Sequence, residues 1–158
     1  MDLRSTIRSI PDFPIPGILF RDITPMLKDP IALQASVDQL REKLGDTPVD
    51  AVVGIESRGF MFGVPLAMQL GVGFVPLRKP GKLPAETITR SYQLEYGEAT
   101  LEIHTDALAK GDRVVVVDDL LATGGTARAS AELIEETGAE VTAMLFVIEL
   151  IGLDGRAA

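Results

Sequence analysis

The chain has 158 residues, enough for one domain with a real core, and 46% of them are hydrophobic against 24% charged. A formal net charge of −8 argues against a general binder of nucleic acid or anionic membrane, while leaving room for a local basic patch and a small phosphorylated ligand. With no cysteine there is neither disulfide nor thiolate metal site, and MDLRSTIRSIPDF lacks the apolar core of a signal peptide, so a cytoplasmic protein without membrane or nucleic-acid partners is expected.

After an N-terminal stretch punctuated by prolines, KDPIALQASVDQLREKLGD predicts a helix. Asp29 caps it, Pro30 suits its first turn and Gly45 its end, while Leu33, Val37, Leu40 and Leu44 repeat at helical spacing to form one apolar face. DAVVGI predicts a short buried strand, GFMFGVPLAMQLG a helix with Pro65 near its first turns, and VGFVPLRK a second strand. TITRSYQLEYGEATLEI reads as strand, turn and strand, bent at Gly97. RVVVVDD is the clearest buried strand, TARASAELIEETG a helix ending at Gly138, and AEVTAMLFVIEL closes the series. Strands alternating with helices imply an α/β protein: a central, mainly parallel sheet flanked by helices, with an antiparallel hairpin attached.

In such a sheet ligands bind beyond the carboxyl ends of the strands, which is where Asp118 and Asp119 stand. The loop Ala122–Thr123–Gly124–Gly125–Thr126 then opens a helix, whose free N–H groups and dipole favour a phosphate. Gly124 and Gly125 are expected to adopt positive φ, and Thr123 and Thr126 add hydroxyl donors. The aspartates would repel a phosphate, so sugar hydroxyls or a magnesium shell are their targets. Together these features describe a ribose 5-phosphate site, although a lone glycine loop is as often an ordinary helix start.

Other stretches also carry two readings. In ESRGF, Arg58 offers a planar fork suited to diphosphate, with Ser57 and Gly59 giving close backbone contacts; the plainer reading is a solvated arginine in a turn. RKPGKLPAE concentrates Arg78, Lys79 and Lys82, which elsewhere would be a solvated surface. Glu95 and Tyr96, taken alone, read as ordinary strand residues before a turn, FPIPGILFRDI as an apolar wrap onto the core, and His104 as a surface or packing residue.

Five blocks, FPIPGILFRDITPMLKDP, GIESRGFMFG, RKPGKLP, YQLEYG and VVVVDDLLATGGT, follow one another in the order seen in the type I phosphoribosyltransferases. The chain resembles that family from about Ile10 to Gly155, most closely its adenine-using branch. The resemblance implies one domain over residues 1–158, with an N-terminal base-binding hood (1–30) and a flexible catalytic lid (80–100). It implies transfer of a phosphoribosyl group from phosphoribosyl diphosphate to adenine, giving AMP and diphosphate, in a homodimer. Mg²⁺ would be carried by the substrate's diphosphate, with no direct protein ligand.

It also implies residue roles. Glu95 would serve proton transfer at the purine and Tyr96 would cover the reacting sugar. Asp118, Asp119, Ala122, Thr123, Gly124, Gly125 and Thr126 would hold the ribose and its 5-phosphate. Ser57, Arg58, Arg78, Lys79 and Lys82 would serve the diphosphate, some of them across the dimer. Backbone groups around Leu19 and Arg21 would read the adenine edge, with Phe20 stacking on one face of the ring and Leu120 covering the other. A cis peptide between Glu56 and Ser57 is expected, with Glu56 standing where many relatives have Asp. Relatives continue past GLDGR with another strand, which puts the C-terminal packing in question. Two alternatives are a transferase for another base, such as a 6-oxopurine, and a non-catalytic sensor of phosphoribosyl diphosphate. The sensor would need an added nucleic-acid-binding element, for which the chain has neither spare length nor a basic face.

Overall fold

The computed structural model describes residues 1–94 and 97–158. Four strands form the central parallel sheet: β3 (Ala51–Ile55), β4 (Gly73–Leu77), β7 (Arg113–Leu121) and β8 (Glu140–Glu149), in the spatial order β4-β3-β7-β8. Two antiparallel pairs accompany it, β1 (Arg8–Ile10) with β2 (Phe20–Asp22), and β5 (Thr87–Gln93) with β6 (Glu98–His104). The helices are α1 (Thr24–Lys28), α2 (Pro30–Leu44), α3 (Arg58–Leu70) and α4 (Gly125–Glu136). The α/β architecture expected from the alternating pattern is therefore present.

Local chemistry explains most of these elements. Asp29 accepts from the backbone N–H groups of Ile31 and Ala32, so α2 starts at Pro30, and Val37, Leu40 and Leu44 bury their side chains along it. In β4, Pro76 lacks the N–H a central strand needs, and β4 accordingly lies at the sheet edge. One expectation needs correction. Pro65 sits in the middle of α3, not near its first turns, and α3 continues through it without the N–H that would bond Met61.

β7 is the axis of the molecule. Its valines alternate: Val115 and Val117 enter an apolar cluster with Met26, Leu40, Phe62 and Leu66, on the side of α1, α2 and α3. Val114 and Val116 enter a second cluster with Leu101, Ile103, Leu133 and Ile134, on the side of α4 and the β5–β6 hairpin. The strand is thus held from both faces, as a near-continuous apolar run in a parallel sheet requires. β7 also runs further than the sequence suggests. It pairs with β8 as far as Leu121–Glu149, so Asp118 and Asp119 lie within the ladder and not beyond it.

The two antiparallel pairs lie at the ligand end. In the β1–β2 pair, Asp22 accepts from Arg8 at 2.7 Å and from the Thr24 N–H at 2.9 Å, tying β1 to β2 and to the start of α1. The hairpin docks on α4 by ion pairs from Arg90 to Glu136 and Glu132, and on the sheet by a bridge between Arg78 and Glu102. Leu101 and Ile103 of β6 are buried. The first two strands were not legible in the proline-rich N-terminus, because each is only three residues long.

Candidate functional site

A cleft opens where β3 and β7 end and α3 and α4 begin. One part, a cavity of about 210 Å³, is walled by the 118–127 segment with Arg58, Leu94 and Phe146. An adjoining cavity of about 630 Å³ is lined by Glu56, Ser57, Lys79, Tyr92 and other residues, and shares Arg58, Asp118, Asp119 and Thr126 with the first. Residues far apart in sequence, from 56 to 146, therefore meet in one place.

The loop after β7 is shaped for an anion. Gly124 has φ +88°, a left-handed conformation that a side chain would strain, and a Cβ there would sit 2.4 Å from the Gly155 carbonyl oxygen. Gly125 does not share that conformation, contrary to expectation, because it is already the first residue of α4. Helix α4 thus begins inside the loop and aims its unsatisfied N–H groups into the first cavity. The C-terminal turn backs this loop: a Cβ on Gly155 would lie 2.3 Å from the Ala122 carbonyl oxygen. Nothing in the sequence pattern signalled that contact, which joins residues more than thirty positions apart.

Both aspartates face the cleft. Asp119 is buried and accepts from Arg58 Nε at 2.5 Å, and Asp118 accepts the Asp119 N–H at 2.9 Å. Burial, and then the neighbouring Asp119 carboxylate, push the Asp118 carboxyl up to about 8. Arg58 stands at the first turn of α3, whose backbone is pressed against β7: a Cβ on Gly59 would come within 2.6 Å of the Val117 carbonyl oxygen. That close approach sets the arginine beside the carboxylates.

The remaining predicted residues divide. The bond between Glu56 and Ser57 is cis, as expected. Glu56 accepts from Arg78 Nε at 2.6 Å, and Arg78 itself lines neither of the two cavities. Lys79 lines the larger cavity, whereas Lys82 is exposed and lines neither of the two. Leu120 lines the smaller cavity, and the Phe20 ring lies 6.0 Å from the Arg58 guanidinium, bringing β2 to the site's edge. Leu19 and Arg21 are exposed on either side of Phe20, and Arg21 donates to the Ser9 hydroxyl. Glu95 and Tyr96 lie outside the described residues. His104 accepts from the Ala85 N–H through Nε2 at 3.2 Å, a packing role near the hairpin's root.

Tyr92 is a site residue that sequence reasoning missed. It lines the larger cavity, and the Thr126 hydroxyl donates to its phenolic oxygen at 3.1 Å. Period-two alternation on β5 could have found it, since Ile88 and Tyr92 share the face that packs inward.

The comparisons with known proteins agree with this geometry. Residues 26–152 match the phosphoribosyl transferase domain family. The chain is 64% identical over 156 residues to the adenine phosphoribosyltransferase of Carboxydothermus hydrogenoformans, spanning 99% of this chain and 92% of that protein. A crystal structure of adenine phosphoribosyltransferase from Thermoanaerobacter pseudethanolicus superposes with a TM-score of 0.96 at 56% identity, covering 99% of this chain and 91% of the other. The Saccharomyces cerevisiae enzyme, complexed with an imino-altritol bisphosphate and adenine, superposes at 0.92 with 44% identity and the same coverage.

Proposed function

Because the chain belongs to the phosphoribosyltransferase family, we propose that it is a pentosyltransferase of purine salvage that joins adenine to phosphoribosyl diphosphate, yielding AMP and diphosphate. The observation that carries the reading is the convergence of Arg58, Lys79, Asp118, Asp119 and the 122–126 loop on one cleft. It pairs cations for a diphosphate with carboxylates for sugar hydroxyls, next to a helix start for a 5-phosphate.

In this reading the loop Ala122–Thr126 anchors the 5-phosphate, and Asp118 and Asp119 accept from the ribose hydroxyls. The C1–O bond to diphosphate breaks as the bond from C1 to adenine N9 forms, through an oxocarbenium-like sugar. Arg58 and Lys79 meet the charge gathering on the departing diphosphate, and Arg78, held by Glu56, joins them only if its side chain turns into the cleft. Glu95, with Tyr96 beside it, is proposed for the proton that adenine loses. Phe20 and Leu120 would sandwich the base, while backbone groups at Leu19 and Arg21 read its edge. An amide N–H and C=O pair matches adenine's N1 acceptor and 6-amino donor, whereas a 6-oxopurine presents the reverse. Lys82, which lines neither cavity, keeps a diphosphate role only if the 80–86 segment closes over the substrate.

A Mg²⁺ carried by the substrate's diphosphate would keep water and phosphate oxygens as its ligands. When bound, it would neutralise diphosphate charge. The homodimer remains part of the proposal, and Met61, Val64 and Met68 form an exposed apolar stripe on α3 that suits it. Both substrates are polar and water-borne, which fits a cytoplasmic site of action. Steady-state assays with adenine, hypoxanthine and guanine test the reading. Adenine should have a kcat/KM at least roughly a hundredfold above hypoxanthine, since mispairing buried polar groups costs on the order of 2–4 kcal/mol. Equal values would remove the adenine assignment, and no turnover with any base would favour the sensor.

A further inference from the structure

The hairpin strand β5 is fastened to the helix that opens the phosphate loop. Arg90 pairs with Glu136 and Glu132 along α4, the Tyr92 ring packs against the apolar cluster that holds Leu133 and Ile134, and the Tyr92 hydroxyl lies 3.1 Å from that of Thr126. Tyr92 and Gln93 also lie against the first helical residue: a Cβ on Gly125 would meet the Gln93 carbonyl oxygen at 3.6 Å and the Tyr92 ring at 3.7 Å. A phenol with a packed ring and one free torsion at its oxygen is therefore held against a hydroxyl of the loop.

A hydroxyl has one proton and two lone pairs. Thr126 cannot donate to an anion in the loop and to Tyr92 at once. When an anion sits in the loop, the Thr126 proton goes to it, and the Thr126 oxygen is left to accept from the phenol. The phenol proton reaches that position by rotation about the Cζ–O bond alone. We propose that Tyr92 is a positioning residue for the 5-phosphate: its O–H donates to Thr126, orients the threonine proton onto the phosphate, and strengthens that bond by polarisation. The hairpin thereby shares in the phosphate's binding energy without touching the phosphate. This inference rests on the reading of the loop as a 5-phosphate site.

Calorimetric titrations of ribose 5-phosphate and of inorganic diphosphate into the wild type, Tyr92→Phe, Thr126→Ala and the double variant test it, with Thr126→Ser as the conservative control. Tyr92→Phe should weaken ribose 5-phosphate by about 3- to 10-fold, the usual scale of one lost hydrogen bond. Diphosphate affinity and the single-turnover rate at saturating substrate should change by less than about twofold on the same scale. In the Thr126→Ala background the tyrosine substitution should have no further effect, whereas with Thr126→Ser it should keep its full effect. Equal losses in both backgrounds, or wild-type affinity for Tyr92→Phe, would overturn the inference while leaving the transferase reading intact. A wild-type protein that binds no ribose 5-phosphate overturns both.

Discussion

Asp118 has a folded-state carboxyl pushed up to about 8 by burial and by the charge of Asp119, against an ordinary value of 3.8. A group raised on folding binds its proton more tightly in the native state, so its contribution is full below about pH 4 and is lost as pH rises through 8. Stability of the ligand-free protein should therefore decline between pH 5 and 8 through this residue. Asp118→Asn should remove the decline and raise the melting temperature near pH 8 by several degrees, at roughly 2–4 °C per kcal/mol. Denaturation curves of both proteins across that range check it, and parallel curves would refute the assignment. Ribose hydroxyls need an acceptor, so ribose 5-phosphate should release a proton on binding at pH 7. Titration in two buffers of different ionisation enthalpy reads that release, and a zero difference would count against contact with Asp118. Glu95→Gln keeps shape but cannot transfer a proton, so kcat should fall by about 10²–10⁴ with little change in diphosphate affinity. Single-turnover rates measure it, and an unchanged rate would move the role elsewhere.

At the scale of elements, the site depends on how closely α3 lies on β7. Gly59→Ala would drive a methyl to 2.6 Å from the Val117 carbonyl oxygen, backbone against backbone, so one element must move away. The expected outcome is a loss of about 1–3 kcal/mol in stability, together with a larger loss in diphosphate binding because Arg58 is carried away with the helix. Chemical denaturation paired with calorimetry would show both, and an unperturbed variant would mean that the two elements yield freely. Elements with a strong period or a cap were legible in advance: α2 from Asp29 and its apolar face, β7 from four valines, and the loop from its glycines and threonines. What stayed hidden was created by long-range packing. Tyr92 meets Thr126 from 34 residues away, Gly155 backs Ala122 from the far end of the chain, and Glu56 takes Arg78 from a neighbouring strand. No local pattern encodes such meetings, since each depends on how separate elements are stacked. Of the basic run only Lys79 lines a cavity; Arg78 turns to Glu56 and Lys82 is exposed, which nearness in sequence did not foretell.

On the scale of the whole molecule, two apolar clusters flank one sheet, and β7 alone sends four fully buried valines into them, two on each side. Backbone amides escape protection at the free energy of the smallest opening that frees them. Freeing β7 breaks both clusters together, so the amides of Val114 to Val117 should exchange with deuterium only through global unfolding. The three-residue strands of the hood have far less to lose and should exchange by local opening, orders of magnitude sooner. If the hood covers the base as proposed, a base would enter and leave beneath a door that swings often, while the sugar-phosphate would rest on a frame that opens only when the protein itself comes apart. Exchange of Val114–Val117 as fast as that of Arg8–Ile10 would refute that ordering of stability.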